Sequence, residues 1–322
     1  MHSYGSCPIC GCHSFDFSYS VTDTNQGVAG SWDVLVCKDC KLGVLSPRPT
    51  SEDIPGYYGD SFYTTDSKRF SGGVESIRGV LNRYKAWRLK KHLPSPGKLL
   101  DFGSGAGHFG SAMSSAGWDV SCEDISYSTE CSRLRMDGEQ PLLDYPNDYF
   151  DVVTLWYVIE HMLDPRGTLQ EVRRVLKPDG TLVLSQQNFS SFQAHVFGPR
   201  WLMLDPPRHV YQFSPDNLKK LVVQEGFAVQ GVDHHCLEMG TFTILQGILN
   251  CIFGNSNALF KLLKNRQLSN TSQAAKNEKL AGLGSLILTP ILLPVAVAAY
   301  FVSVFVGSGD LFTLYLRKAD EP

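Results

Sequence analysis

What this sequence lacks narrows its class. It has no excess of positive charge: 29 Lys and Arg stand against 32 Asp and Glu, a net charge of −3. A global basic footprint for nucleic acid is therefore missing, and no nucleic-acid partner is expected. The opening stretch, MHSYGSCPIC, has no apolar core of the kind a secretory signal carries, which predicts a cytoplasmic protein. A reducing cytosol disfavours disulfides, so paired cysteines there point to a metal. No internal repeat is visible, which excludes a solenoid or propeller. With 43% hydrophobic and 19% charged residues, the composition suits a globular protein with a sizeable core.

Of nine cysteines, four form the pairs Cys7-Pro-Ile-Cys10 and Cys37-Lys-Asp-Cys40, with 26 residues between them. Two such knuckles can close a tetrahedral zinc site with no open coordination position. Cys12 and His13 are possible substitutes or neighbours. The plain role for such a site is to staple a small module, here residues 1–48, that cannot build its own core. Use as a nucleic-acid docking ribbon finds no support, since residues 1–45 hold no basic-aromatic cluster.

Beyond the cysteines, SPRPTSEDIPGYYGD reads as a linker, and residues 76–92 as a helix with a basic face; together they make a linker and helical cap over 49–95. Alternation then begins. KLLDF, WDVSCEDI, FDVVTLWYV, TLVLSQQ and FAVQGVDHH read as strands, with helical patterns between them, one around 127–135. Strands separated by helices predict an α/β, doubly wound parallel sheet over 96–236. LFTLYLRK, within 309–322, alternates like a final strand.

KLLDFGSGAGHFG holds the candidate ligand site. Gly105-x-Gly107-x-x-Gly110 satisfies the dinucleotide pattern, but that match alone is weak. Asp101 at the strand end would repel a pyrophosphate and suit an ammonium. Gly103, Gly105 and Gly107 give a bare backbone for a ligand to lie against, and the next helix N-terminus offers N–H groups to a carboxylate. Ammonium plus carboxylate describes the methionyl end of S-adenosylmethionine. Asp124, 21 positions after Gly103, stands where a carboxylate takes ribose hydroxyls, although that fits NAD equally and a helix N-cap too.

LLDFGSGAGHFG, GWDVSCEDIS, YFDVVTLWYVIEHMLDP and VRRVLKPDGTLVLSQQN occur in that order. Together they resemble the class I S-adenosylmethionine-dependent methyltransferases over roughly residues 75–235 and the last strand. The resemblance implies a Rossmann-like seven-stranded sheet in the order 3-2-1-4-5-7-6, its last strand antiparallel. It implies that Asp101, Gly103, Gly105 and Gly107 hold the methionyl moiety, Asp124 the ribose and Glu139 the adenine amino group. Trp156 and Tyr157 would border cofactor and acceptor. The four-cysteine module, followed by GVLSPRPTSEDIPGYY, is similar to the ribbon preceding the catalytic domain in some bacterial methyltransferases.

Methyl transfer asks for alignment and, if the acceptor is a hydroxyl, a base. The stretch QQNFSSFQAHVFGPRWLMLDPPRHVYQFS is the candidate acceptor wall, with His195, Arg200, Arg208 and His209. His209 is the leading candidate base, with Arg208 orienting an anionic group; His161 is the second. Each histidine has a structural alternative: His209 in a packed lid, and Glu160-His161 closing a strand and capping a turn.

Residues 237–308 form a hydrophobic insertion. Leu280 to Gly309 carries no charge, and Lys261, Lys264, Arg266, Lys276 and Lys279 precede it against one acid, Glu278. The run is long enough to span a bilayer, yet the strand after it belongs to the cytosolic sheet. The insertion must therefore return, as a re-entrant hairpin, two spans or an in-plane helix pair, or serve a homodimer interface. Pro290 and Pro294 favour a break. The expected protein is a methyltransferase on the cytosolic face of a membrane, acting on a lipid-linked saccharide, polyprenyl or quinone-like acceptor, most readily at oxygen. A soluble sugar acceptor with a dimerising insertion, and a non-catalytic adaptor, are the alternatives.

Overall fold

Short apolar runs bounded by glycine and polar turns become buried strands. The computed structural model describes residues 5–58, 72–93, 95–124, 145–254, 256–264 and 273–319. Its strands are β1 (Phe15–Val21), β2 (Trp32–Cys37), β3 (Gly43–Ser46), β4 (Lys98–Phe102), β5 (Asp119–Glu123), β6 (Phe150–Trp156), β7 (Leu176–Gln187), β8 (Tyr211–Gln212), β9 (Phe227–Asp233) and β10 (Leu311–Lys318). Its helices are α1 (Ile54–Tyr57), α2 (Gly72–Leu89), α3 (His108–Ser114), α4 (Pro165–Val175), α5 (Phe192–Phe197), α6 (Pro215–Gln224), α7 (Leu237–Phe253), α8 (Ala258–Leu263) and α9 (Gln273–Phe305).

The main sheet has the order β5-β4-β6-β7-β10-β9. Neighbours β5, β4, β6 and β7 are parallel, while β10 is antiparallel to both flanking strands. This is the expected α/β, Rossmann-like order over six strands. The expected third strand and the helix around 127–135 lie outside the described residues, as does Glu139. β4 and β7 are almost wholly buried, as parallel strands covered on both faces must be. LFTLYLRK is the final strand, inserted between two others as the expected order has it. As β10 it lies between β7 and β9 and is buried nearly throughout, because both of its edges and both of its faces are covered.

Helix starts are set locally. Asp164 accepts from Gly167 N–H ahead of α4, and Ser214 forms a capping box with Asn217 ahead of α6; each helix has proline in its first turn.

A second sheet, β1-β2-β3-β8, joins the cysteine-rich segment to the rest of the chain, since β3 pairs with Tyr211 and Gln212. Its apolar side chains are continuous with the main core: Ile9, Leu42 and Val44 share one cluster with Leu100, Val153 and Phe213. The supposed linker is also tied down. Arg48 donates to the Leu163 carbonyl, and Tyr58 reaches His161.

The insertion is a helical hairpin, α7 outward and α9 back. α9 runs unbroken through Pro290 and Pro294, contrary to the expected break. Each proline removes one backbone hydrogen bond, and the surrounding turns hold; just before Pro290, the Thr289 hydroxyl donates to the Ser285 carbonyl (2.7 Å).

Candidate functional site

The loop after β4 is built on left-handed glycines. Gly103, Gly105 and Gly107 have φ of 76°, 56° and 73°. At Gly103 the constraint is double, because a Cβ there would lie 2.2 Å from Val158 Cγ2. The loop is fastened to the end of β5: Gly103 and Ser104 N–H donate to the Glu123 carbonyl (2.7 and 3.0 Å), and Gly105 N–H donates to Asp124 Oδ2 (2.6 Å). Asp101 is buried beneath the loop and accepts from the Thr154 hydroxyl (2.8 Å). Burial pushes its carboxyl up to about 6, against the lowering effects of the Thr154 hydrogen bond and the Lys85 ammonium.

Trp156 and Tyr157 stand at the neighbouring strand end, Tyr157 with φ of 59°, a costly conformation for a side-chain-bearing residue. Phe109 meets Trp156 edge to face, and Lys85 Nζ lies 3.7 Å from the Trp156 ring centroid. Lys85, Trp156, Tyr157, Ser185, Cys236 and Tyr315 line one depression. The sequence reading singled out Trp156 and Tyr157 but not Lys85, whose only signal was the basic face of its helix.

Two observations bear on the fit of a nucleoside-linked amino acid. The donors and acceptors at the loop suit it: Asp101 and Asp124 as acceptors, and the start of α3 as donor. Ser104 Oγ and Trp156 Nε1 are also buried without a hydrogen-bond partner among the described residues.

Val158, packed on Gly103, leads into a helical turn over Ile159–His161 and a second polar cluster. His161 Nδ1 lies 3.0 Å from the Arg208 carbonyl and 3.0 Å from the Tyr58 hydroxyl. His209 Nδ1 lies 2.8 Å from the Met203 carbonyl. A carbonyl only accepts, so both rings carry hydrogen on Nδ1 and keep the Nε2 lone pair, and the Gln187 side-chain amide, 3.0 Å from His209 Nδ1, turns its oxygen to that N–H. The rings meet edge to face at 4.7 Å. Burial pushes His161 down to about 3 and lowers His209 too, so both are neutral at pH 7.

Glu160, read in the sequence as a strand end, is fully buried, and neither carboxylate oxygen has a hydrogen-bond partner among the described residues. Burial pushes it up to about 8. His209 Nε2 is 3.9 Å from Glu160 Oε1 and 3.9 Å from Asp205 Oδ2. The structure thus brings together both candidate bases and adds a carboxyl beside them. Ligand atoms of Glu160, His161 and His209 lie within 4.8 Å of one another, a donor set that can relay a proton or hold a cation.

Arg208 corrects its expected role. It is fully buried and held bidentately by Asp23 (2.9 and 2.9 Å) and by Asp205 (2.6 and 2.9 Å), so its guanidinium is not offered to an acceptor. Burial works to raise the Asp205 carboxyl, and Arg208 overrides this and holds it well below the usual range. Asp23 sits in the β1–β2 connection and also accepts from the Asn25, Gln26 and Val28 N–H groups. The cysteine-rich segment therefore contributes one wall of the cluster. His195 stands apart, its Nδ1 on the Ser191 carbonyl of its own helix (2.8 Å).

The four cysteines converge as their spacing implied. Cys7 and Cys40 sulfurs are 3.4 Å apart and Cys10 and Cys37 sulfurs 3.5 Å apart, with all four within 4.8 Å. A tetrahedral zinc with bonds of about 2.3 Å sets sulfurs about 3.8 Å apart, so the cluster fits that ion. Each knuckle closes on a left-handed residue, Gly11 or Lys41, whose N–H returns to the carbonyl of the first cysteine. Cys12 faces Ser14 instead.

A Rossmann-like α/β sheet with a glycine loop between two strand-end carboxylates defines the class. Residues 76–232, just under half of the chain, match the family model described as a methyltransferase domain. A ubiquinone biosynthesis O-methyltransferase of Cereibacter sphaeroides (strain ATCC 17025 / ATH 2.4.3) is 32% identical over 156 residues, covering 43% of this chain and 63% of that protein. One from Bradyrhizobium diazoefficiens is 28% identical over 148 residues, covering 41% and 58%. The chain thus spans under two thirds of the length of these relatives. Among solved structures, Burkholderia thailandensis 1,6-didemethyltoxoflavin-N1-methyltransferase with bound S-adenosylhomocysteine aligns at a TM-score of 0.47 and 14% identity, over 88% of this chain and 98% of that one.

Proposed function

We propose that this chain transfers the methyl group of S-adenosylmethionine to an oxygen of an amphiphilic, quinone-like acceptor at the cytosolic face of a membrane. The observation that carries the reading is the pairing of Asp101 and Asp124 across a bare glycine loop. Two carboxylates there repel linked phosphates and attract an ammonium joined to a nucleoside. Bound in that place, S-adenosylmethionine supplies a methyl group already activated on a sulfonium.

The chain's own residues then align and deprotonate. Asp101 holds the ammonium, the loop over Gly103, Gly105 and Gly107 receives the methionyl chain, and Asp124 exchanges the Gly105 N–H for ribose hydroxyls. Trp156 borders the methyl position. His209 is the base: its Nε2 takes the acceptor hydroxyl proton, and the Asp205 carboxylate, 3.9 Å away, stabilises the imidazolium that forms. His161, against the His209 ring edge, fixes its orientation. Cys7, Cys10, Cys37 and Cys40 hold a structural zinc that orders the segment carrying Asp23. The names of the relatives support oxygen and a quinone-type ring, and the exposed apolar helix α9 supports a membrane source for the acceptor.

Calorimetry with S-adenosylhomocysteine and NAD in parallel tests the cofactor. Binding of the first alone is expected, and binding of NAD alone would overturn the reading. Labelled methyl transfer to a polyprenylated catechol, lost in His209→Ala with cofactor affinity retained, tests the acceptor side. Elemental analysis should find one zinc per chain, lost in Cys37→Ser.

A further inference from the structure

An apolar helix on a protein surface is ordinarily polar on its outer side. α9 is not. Its inner face, Ala281, Ser285, Ala296 and Tyr300, is buried, with Leu288 and Leu292 packed beside it toward α7. Its outer face repeats at three and four residues through Leu283, Ile287, Ile291, Val295, Val302 and Phe305, all exposed, Ile287 at 72% and Phe305 at 91%. No charged side chain interrupts Leu280 to Gly309. The apolar surface continues onto α5, where Phe192 and Val196 are exposed and Phe192 N–H donates to Ser308 Oγ at the end of the hairpin (3.1 Å).

α7 decides how such a surface can meet a bilayer. It is pinned to the body along its length. Thr243 donates to Gln193 (3.1 Å) and to Asp310, Asn250 donates to the Arg200 carbonyl (3.0 Å), and past its end Asn257 donates to Thr24 (2.7 Å) and Asn25 (2.8 Å). A hairpin that crossed a membrane would drag these partners in with it. Buried polar groups in the middle of α7 serve the body, not a span. α9 is also about 39 Å long over its apolar part from Leu280 to Phe305, longer than the roughly 30 Å hydrocarbon core. Lys276 and Lys279 flank Glu278 in the first turns of α9, and Glu278 pairs with Lys261 of α8, which Lys264 follows.

We infer that α9 and the exposed side of α5 lie in the plane of one leaflet, as a monotopic membrane seat, with the lysine end against anionic headgroups. This inference rests on the membrane side of the proposed function and fixes its geometry. The occupant is a lipid surface, because the outer face offers only hydrocarbon and the charge beside it is positive.

The test uses the full chain and vesicles of equal parts phosphatidylcholine and phosphatidylglycerol. The protein should float with them, less so at high salt or with phosphatidylcholine alone. Ile287→Glu, Ile291→Glu and Val302→Glu, all solvent-exposed, should each lower partitioning about tenfold while S-adenosylhomocysteine binding is unchanged. A protease site inserted in 265–272 should be cut in membranes from expressing cells on the same side as a site at the C-terminus. Cleavage on opposite faces overturns the in-plane seat but leaves membrane action standing. A stable dimer that ignores vesicles and is split by the same substitutions overturns the seat in favour of a second copy. Failure to bind S-adenosylhomocysteine overturns the cofactor reading alone.

Discussion

The two polar clusters next to the strand ends are built in opposite ways. The glycine loop sets two carboxylates on a scaffold of left-handed glycines whose N–H groups are tied to the end of β5, with Ser104 Oγ and Trp156 Nε1 left unpaired among the described residues. The Glu160–His161–His209 cluster is enclosed, and its outer ring is fully bonded: Asp23, Asp205, Arg208 and Tyr58 satisfy one another or the histidines. The first is a place prepared for a ligand's charges. The second is a place where the protein's own charges are balanced so that two imidazoles and a carboxyl stay neutral. On the proposed function, binding and proton handling fall to different devices, and substitutions should separate them.

The largest effect falls on Arg208. Arg208→Met leaves Asp23 and Asp205 buried without their counterion, which costs about 3–5 kcal/mol. Thermal or urea unfolding should show that loss, while the surviving folded protein keeps its affinity for S-adenosylhomocysteine. A stable variant with weakened cofactor binding would break the comparison, because it would make Arg208 part of the binding site.

Asp124→Ala is the converse. Its carboxylate receives one backbone N–H and stands ready for two hydroxyls, charge-assisted bonds worth about 1.5–3 kcal/mol each. Cofactor affinity should fall about a hundredfold or more by calorimetry, with little change in melting. Unchanged affinity refutes the ribose assignment.

The contrast also explains what the sequence made legible. The glycine loop is contiguous, and its demands are backbone demands, so residue types at 101, 103, 105 and 107 announce it. The cysteine cluster is legible for the same reason, since two local knuckles need only meet. The acid–histidine cluster draws on residues 23, 58, 160, 161, 205, 208 and 209, and nothing local shows that they converge. His161 and His209 could be singled out by type. Glu160 reads only as a strand end, although an acid inside the apolar run YVIEHML is a signal for more. Arg208 was given a ligand to bind because its partner Asp23 lies 185 positions away. The hairpin was legible as apolar mass, but the prolines misled, because a helix braced by α7 can absorb the bonds they remove.

Glu160→Gln sharpens the comparison with a smaller effect. Glu160 titrates at about 8 in the folded chain against 4.5 when free, so the folded state retains a proton that the unfolded state has lost. Its contribution is full below about pH 4.5 and disappears as pH rises through 8. His161 runs the other way: held at about 3 against 6.5, it costs stability as pH falls below 6.5. The two oppose each other between 4.5 and 6.5, so the informative window lies above. From pH 6.5 to 8 the native chain should lose stability at up to about 1.4 kcal/mol per pH unit from Glu160, about 2 kcal/mol across the window. Asp310, which burial holds at about 7, adds to the same slope only up to about pH 7 and is present in both proteins. The difference between the two unfolding curves therefore isolates Glu160. A glutamine variant whose stability falls as steeply as the native chain's would mean that Glu160 is ionised in place, and the cluster would then be a second charged site like the glycine loop instead of a neutral one.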